Sequence, residues 1–575
     1  MPLSLFRSGV ITLITVLYAC TYTSALATSK PSVQPAVAIG KTAVVGKQIT
    51  QANSSIVVDF FGGIPYAQPP LGNLRLNLPV FKPALDVERF DASDFGPGCL
   101  QTPPPPSGVS EDCLTLTIFR PSGVSSQEKL PVMAWIYGGG FTVGATSFYD
   151  ATNLVTRSVE RGTPVIFVSI NYRLGPLGFP TGNEVGALLR NNTNILNLGL
   201  HDQLVGLEWV QQNIGQFGGD NTKVTIMGES AGSTSIGIHL SGSRIQGLVH
   251  AAILESPPLI PTFDSEKREG VWNSWVNAIP GCASSGGNAI ECIRRSDSAA
   301  LLQALINDQV VFQANDFQPT LDGPNGLVPD RPSQLSANKL HLPVMMGSNL
   351  DEGTIVIDQR TNSTEEIRNF ILNFISPSLV SPEEVNRTID TILDLYPDIP
   401  ALGSPFGTGN NTFGLSSQYK RLSAIFGDLI VISSRRTLTH RMSQAGDKVF
   451  GYLFTDPEAV VFPEFAPPAV PGSLGVPHSS EIPYVFGNFV SGVNGSGPSL
   501  AARGLSVSIQ DYWISFAASH NPNDEHGQKR PDWQAYTPDK QVVMQLTGDS
   551  SFLVPDTFRL QQLAFWEDHP DFLVR

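Results

Sequence analysis

After its first twenty residues the 575-residue sequence has no apolar run approaching the ~18 residues that a membrane-spanning helix needs. It also lacks internal repeats, charge blocks and any linker long enough to mark a second independent domain, so collagen-like and coiled-coil architectures are excluded. Positive charge is in deficit, with 36 Lys+Arg against 51 Asp+Glu and a formal net charge of -15. Such a surface repels phosphate backbones and anionic membranes, which excludes nucleic acid as a partner. Cysteine is scarce, five in all, and there is no Cys-x-x-Cys pair or His-x-x-x-His helix face, so no metal is expected. Hydrophobic residues are not scarce: at 41% they exclude intrinsic disorder.

The N-terminus carries one charge, Arg7, then an apolar run over residues 10–20, then the small-x-small pattern Ala25-Leu26-Ala27. This predicts a secretory signal peptide, residues 1–27, cut after Ala27, and a mature extracellular chain without a membrane anchor. Cys20 leaves with the signal. The four remaining cysteines fall into two close pairs, Cys99 with Cys113 and Cys282 with Cys292, which in a secreted chain read as two disulfides. Each closes a short loop, worth about 3 kcal/mol in the chain-entropy account, so they pin local excursions and do not hold the fold together. Asn-x-Ser/Thr sequons stand at Asn53, Asn191, Asn362, Asn386, Asn410 and Asn494 as candidate glycosylation sites.

Short, almost continuously apolar runs occur at residues 131–137, 164–170, 224–227, 251–254, 343–346 and 449–454. Strands buried on both faces read this way. Residues 204–216 place Leu204, Leu207, Val210 and Ile214 on one helical face, and a second helix starts at residue 231, directly after a strand. Strand, helix, strand in succession predicts an α/β fold with a mostly parallel central sheet flanked by helices. Irregular stretches at residues 94–111, with Pro103 to Pro106, and at 455–476 are expected as loop insertions over one rim of that sheet. Residues 28–575 are expected to form one catalytic domain.

The sharpest chemical signal is Gly228-Glu229-Ser230-Ala231-Gly232, between a predicted strand and a predicted helix. A nucleophilic serine must stand clear of the backbone at a tight turn, and flanking glycines remove the Cβ atoms that would clash there. The run Gly138-Gly139-Gly140-Phe141 follows another strand. Consecutive glycines let backbone N–H groups approach a developing oxyanion, so Gly139 and Gly140, with the Ala231 N–H, are candidate oxyanion donors. Among nine histidines, His478 sits in a loop after the last long apolar run and is the candidate base. Asp351 and Glu352 both follow the strand at 343–346, where carboxylates reach the active-site rim of a parallel sheet; local reasoning leaves either as the acid that orients the histidine.

With these pieces in order, the chain resembles the type-B carboxylesterase/lipase family of α/β-hydrolases, which includes cholinesterases, mammalian carboxylesterases and secreted fungal lipases. The resemblance rests on Gly63-Ile64-Pro65-Tyr66-Ala67, Ser110-Glu111-Asp112-Cys113-Leu114, Gly138-Gly139-Gly140-Phe141, Asn171-Tyr172-Arg173-Leu174-Gly175, Phe217-Gly218-Gly219-Asp220, the serine pentapeptide, Asp351-Glu352-Gly353 and His478. It implies the α/β-hydrolase fold, a Ser230–His478–Glu352 triad with Glu352 and not Asp351 as the acid, and the two disulfides. It also places Glu229 and Ser256 beside the triad.

The implied reaction is serine ester hydrolysis through an acyl-enzyme, with no metal or organic cofactor. Activity is expected to fall below about pH 5 to 6 as His478 protonates, from an unperturbed pKa near 6.5 that its neighbours lower or raise. In the lipase branch the first cysteine loop is a long lid, and in cholinesterases it carries a tryptophan. Here 13 residues separate Cys99 from Cys113, four are consecutive prolines and none is Trp. The sequence therefore points to an open-site esterase for short- to medium-chain, aryl or cinnamoyl-type (feruloyl) esters. The alternative is a lipase or sterol-ester hydrolase with an acyl tunnel. A non-catalytic, neuroligin-like binding module is disfavoured, because Ser230 is present and the sequence ends without an apolar tail.

Overall fold

Seven parallel strands form the centre of an eleven-stranded sheet in the computed structural model, which describes residues 34–51, 54–258, 260–285, 287–306, 316–375, 379–462, 467–489, 497–548 and 550–573. The expected signal peptide, Asn53 and Asn494 lie outside the described residues. In chain order the strands of this sheet are β1 (Lys47–Thr50), β2 (Val57–Pro65), β3 (Thr115–Pro121), β4 (Leu130–Ile136), β5 (Ile166–Ile170), β6 (Gly219–Glu229), β7 (Ala251–Glu255), β8 (Val344–Asn349), β9 (Val449–Phe454), β10 (Val542–Leu546) and β11 (Phe552–Pro555). Their spatial order is β11-β10-β9-β8-β7-β6-β4-β5-β3-β2-β1. Pairing is parallel from β5 through β10 and antiparallel toward both edges. A separate three-stranded sheet joins Ala36–Ile39, Thr42–Val45 and Arg89–Asp91.

All six apolar runs seen in the sequence are strands of the parallel centre. Strands β5, β7, β8 and β9 are buried at every residue, which requires cover on both faces. Helices supply it: α2 (Ala231–Ser241) packs on β4, β6 and β7, and the helix Leu500–Ser519 on β4 and β6. Among the described residues no helix is long and apolar enough to cross a membrane.

The helix expected at residues 204–216 is α1 (Leu198–Asn213), which starts six residues earlier and ends in a 3-10 turn, Ile214–Phe217. Its start was hidden because Gly199, His201, Asp202 and Gln203 interrupt the apolar spacing, yet Asp202 is fully buried. It accepts from the Arg173 guanidinium at 2.7 and 2.8 Å and from the Arg173 amide at 3.0 Å. A paired charge is tolerated inside where a lone one is not.

A second apolar cluster lies apart from the sheet core. It is built from Ile367, Ile389, Tyr419, Leu429 and Trp566 on the helices between residues 364 and 432 and on Leu560–Asp568. Its π-helical turn Asp428–Ile432 contributes one wall of the site described next. The structure pairs Cys99 with Cys113 and Cys282 with Cys292, with Cα–Cα separations of 5.0 and 5.7 Å. Asn191, Asn362, Asn386 and Asn410 are all exposed.

Candidate active site

The parallel strands end on one rim, and the chemistry-bearing residues follow their C-terminal ends, as expected for an open α/β sheet. Ser230 stands between β6 and α2 with φ 54° and ψ -122°, a left-handed conformation costing a non-glycine residue about 1–3 kcal/mol. The surroundings over-determine it. Its amide donates to the Glu255 carbonyl at the end of β7, 3.0 Å away. A Cβ on Gly228 or Gly232 would lie 2.5 or 2.0 Å from the Ile136 carbonyl oxygen of β4, so the glycine spacing is imposed by the neighbouring strand. Ala231 is the first residue of α2, where the amide has no partner within the helix.

After β4 the chain turns through Gly139 (φ 107°), Gly140 (φ 61°) and Phe141 (φ 62°). The turn is closed by the Gly139 carbonyl, which accepts from the Thr142 and Val143 amides at 3.1 Å each. The Phe141 carbonyl accepts from the Gly175 amide at 2.7 Å, so the Asn171–Gly175 motif holds this turn from outside. Gly139, Gly140, Ser230, Ala231, Glu352 and His478 all line one cavity of about 340 Å³. Ile355, Val356, Phe426, Ile430 and Val431 give it an apolar wall.

The structure separates the two adjacent carboxylates. Glu352 meets His478, Oε2 to Nδ1 at 2.5 Å, while its Oε1 accepts from the Asn349 amide at 2.6 Å and the Ser256 hydroxyl at 2.7 Å. Asp351 points elsewhere. Its Oδ1 accepts from Ser404 Oγ and the Phe406 amide at 2.7 and 2.8 Å, and its Oδ2 accepts from the Val476 amide at 2.9 Å. It thereby ties the loop carrying His478, and burial pushes its carboxyl up to about 6.

Glu229 is buried, accepts from Ser479 Oγ at 2.6 Å, and lies 3.1 Å from His478 Nε2 through Oε1. A contact this short between a ring nitrogen and a carboxylate needs a proton between them, on the imidazole or on Glu229. Burial raises the Glu229 carboxyl. Burial by itself would lower His478, but Glu229 and Glu352 outweigh it and raise the imidazole above its ordinary value. The sequence left the direction of the neighbours' effect on this histidine open; the two carboxylates make it upward. Among the described residues Ser230 and His478 make no hydrogen bond; such contacts commonly tighten only with substrate bound.

Beneath these residues lie groups that sequence reasoning missed. Glu481 accepts from Asn349 Nδ2 at 2.6 Å, and Glu255 accepts from Trp513 Nε1 at 2.7 Å. Both are buried, and burial with neighbouring carboxylates raises both, Glu481 to about 8. The available signal was Glu255 itself, an acidic residue closing the apolar strand Ala251–Glu255.

The pattern that describes the carboxylesterase family matches residues 33–566. Lipase 1 of Geotrichum candidum is 33% identical over 89% of this chain and 92% of its own length. The secreted triacylglycerol lipase LIP1 of Gibberella zeae is 30% identical over 92% of this chain and 89% of its own. Among solved structures, Aspergillus niger EstA superposes with a TM-score of 0.78 at 27% identity, covering 94% of this chain and 99% of that one. The chain belongs to the carboxylesterase family: it is a carboxylic-ester hydrolase with the α/β-hydrolase fold.

Proposed function

We propose that Ser230 is the nucleophile, His478 the general base and Glu352 its orienting acid, with the Gly139, Gly140 and Ala231 amides as the oxyanion hole. The observation that carries this is the convergence of all six residues on one cavity, with His478 Nδ1 held by Glu352. Ser230 Oγ attacks the ester carbonyl as His478 Nε2 takes its proton. The amides stabilise the tetrahedral oxyanion, and His478 returns the proton to the leaving alkoxide. Water activated by the same imidazole then releases the acid. Glu352 stabilises the imidazolium in both halves, and Ser256 and the Asn349 amide hold Glu352 in place. We read residues 28–575 as one secreted catalytic domain, a reading supported by relatives named as secreted lipases.

The substrates favoured are short- to medium-chain, aryl or cinnamoyl-type esters. The cavity is apolar and open, and the Cys99–Cys113 loop is fastened down, since Gln101 pairs with the Gly144 backbone. A second reading, a lipase or sterol-ester hydrolase, is favoured by the named relatives and by a smaller apolar cavity of about 60 Å³. That cavity shares Thr234, Pro258 and Ile260 with the site and is also lined by Ser233, Gly237 and Ser241 of α2. Initial rates on p-nitrophenyl esters from C2 to C16, with methyl ferulate alongside, separate the two. An optimum at short chains or ferulate is expected; an optimum at C12 or longer would transfer the assignment to the second reading.

The electrostatics set the pH dependence. A base whose pKa is raised stays protonated, and inactive, to higher pH, so the acid limb of kcat/KM is expected above the ordinary 6.5. Glu229→Gln removes one of the two carboxylates that hold the proton on His478. It should move that limb toward lower pH in a profile from about pH 5 to 10; an unmoved limb would show that Glu229 does not act on the base.

A further inference from the structure

In this structure the Cys99–Cys113 loop is attached to the glycine turn that lines the cavity. Gln101, 2% exposed, lies against Gly144 and pairs with it as two peptide groups would. Its Nε2 donates to the Gly144 carbonyl at 2.8 Å, and its Oε1 accepts from the Gly144 amide at 2.8 Å. The same Nε2 lies 3.1 Å from the Cys99 carbonyl, linking the pair to the disulfide. Two further contacts repeat the attachment. Ser107 Oγ bonds Ser147 Oγ at 3.0 Å, and Gly98 lies so close to Ala145 that a Cβ there would approach the alanine methyl to 3.2 Å.

The loop is internally closed by Gly98 N–Gly108 O and Ser110 N–Gly98 O bonds, both 2.9 Å. The turn it touches is fixed on its opposite side by the Gly175 amide at Phe141, 2.7 Å, and beyond Gly144 by Asn171 Oδ1, which accepts from the Thr146 amide at 3.0 Å. Residues 139–143 are therefore held at Phe141, in their middle, and at Gly144, just past their C-terminal end, where Gln101 supplies the bonds. Oxyanion donors act only if they are aimed before charge develops, because reorienting them during the reaction consumes the stabilisation they provide.

We propose that Gln101 is a positioning residue for ester hydrolysis: its carboxamide fixes Gly144 and so aims the Gly139 and Gly140 amides, making the first disulfide loop a strut for the oxyanion hole. This rests on the reading of Gly139 and Gly140 as oxyanion donors. Fixing the donors affects the transition state and not the docking of the ester, which distinguishes this role from a general contribution to packing.

The test uses Gln101→Met, which keeps the length and loses both hydrogen bonds, and Gln101→Glu, which keeps the acceptor for the Gly144 amide. Stoichiometric fluorophosphonate labelling of Ser230 shows that each variant is folded. Gln101→Met is expected to lower kcat on p-nitrophenyl butyrate by about 10- to 100-fold with KM within about twofold of wild type. The acid limb of the pH profile should stay in place, and binding of a trifluoromethyl ketone, whose hemiketal oxygen occupies the oxyanion hole, should weaken by the same factor. Gln101→Glu should lose less than Gln101→Met, and the same comparison rests on it if Gln101→Met does not fold. An unchanged kcat, or a loss confined to KM, would overturn the proposal while Ser230→Ala remains inactive. Activity persisting in Ser230→Ala would instead overturn the underlying site assignment.

Discussion

Ser230→Ala is expected to lower kcat on p-nitrophenyl butyrate by about 10⁶-fold while leaving thermal unfolding nearly unchanged. The size follows from the covalent route: without Oγ no acyl-enzyme forms, and what remains is whatever bound water achieves in a pocket with oxyanion donors. That residue of activity is about 10³- to 10⁴-fold over the uncatalysed rate, so the variant should be slow and not inert. Stability should hold, because Ser230 is partly exposed and its amide, not its hydroxyl, makes the bond to Glu255. The Ser230 conformation is strained, and alanine keeps the same steric demand at φ 54°. Rates under pre-steady-state conditions, where the burst of p-nitrophenol disappears in the variant, check the claim directly.

Glu352→Gln is expected to produce the second largest loss, about 10⁴-fold in kcat with KM little changed. Glutamine fits the same space, but its NH₂ group faces His478 Nδ1 or the Asn349 amide, both donors to Glu352 in the native arrangement. Either orientation leaves one donor unmatched and removes the charge that stabilises the imidazolium, and the one that turns the NH₂ toward Nδ1 also favours the wrong imidazole tautomer. Asp351→Asn gives the contrast. That carboxylate accepts from Ser404, Phe406 and Val476 and does not meet His478, so its loss should appear mainly as reduced stability, about 1–3 kcal/mol, with far less effect on kcat. Equal losses of kcat in the two variants would contradict the division of labour between these neighbours.

Those two residues also show where the sequence stops being readable. The serine elbow was legible because its glycine spacing is set by the approach of the Ile136 carbonyl, a constraint local to two adjacent strands. The parallel strands were legible because burial on both faces leaves an uninterrupted apolar run. Asp351 and Glu352 are one residue apart at a strand end, and which of them reaches His478 depends on a loop more than a hundred residues later. Only the family resemblance pointed to Glu352.

Polarity hid other elements. The strand Thr115–Pro121 is wholly buried yet carries Arg120, which pairs with Asp59 of Val57–Pro65 at 3.2 Å, and the start of α1 carries Asp202 against Arg173. A buried ion pair reads in sequence as two surface residues, because the partner that neutralises each charge is remote. Glu481 and Glu255 were missed because the neutral donors that hold them, Asn349 and Trp513, are likewise remote in the sequence. The direction of the His478 shift was hidden in the same way, because Glu229 and Glu352, which raise it, lie far from it in the sequence.

The most direct measurement of the central claim is to mix the protein with excess p-nitrophenyl acetate, quench within the burst and map the added mass by peptide sequencing in a mass spectrometer. The account predicts one equivalent of p-nitrophenol released per chain before steady state and a single acetyl group on Ser230, absent from Ser230→Ala. An acetyl group carried by a different residue in an active sample, or a full burst from Ser230→Ala, would contradict it.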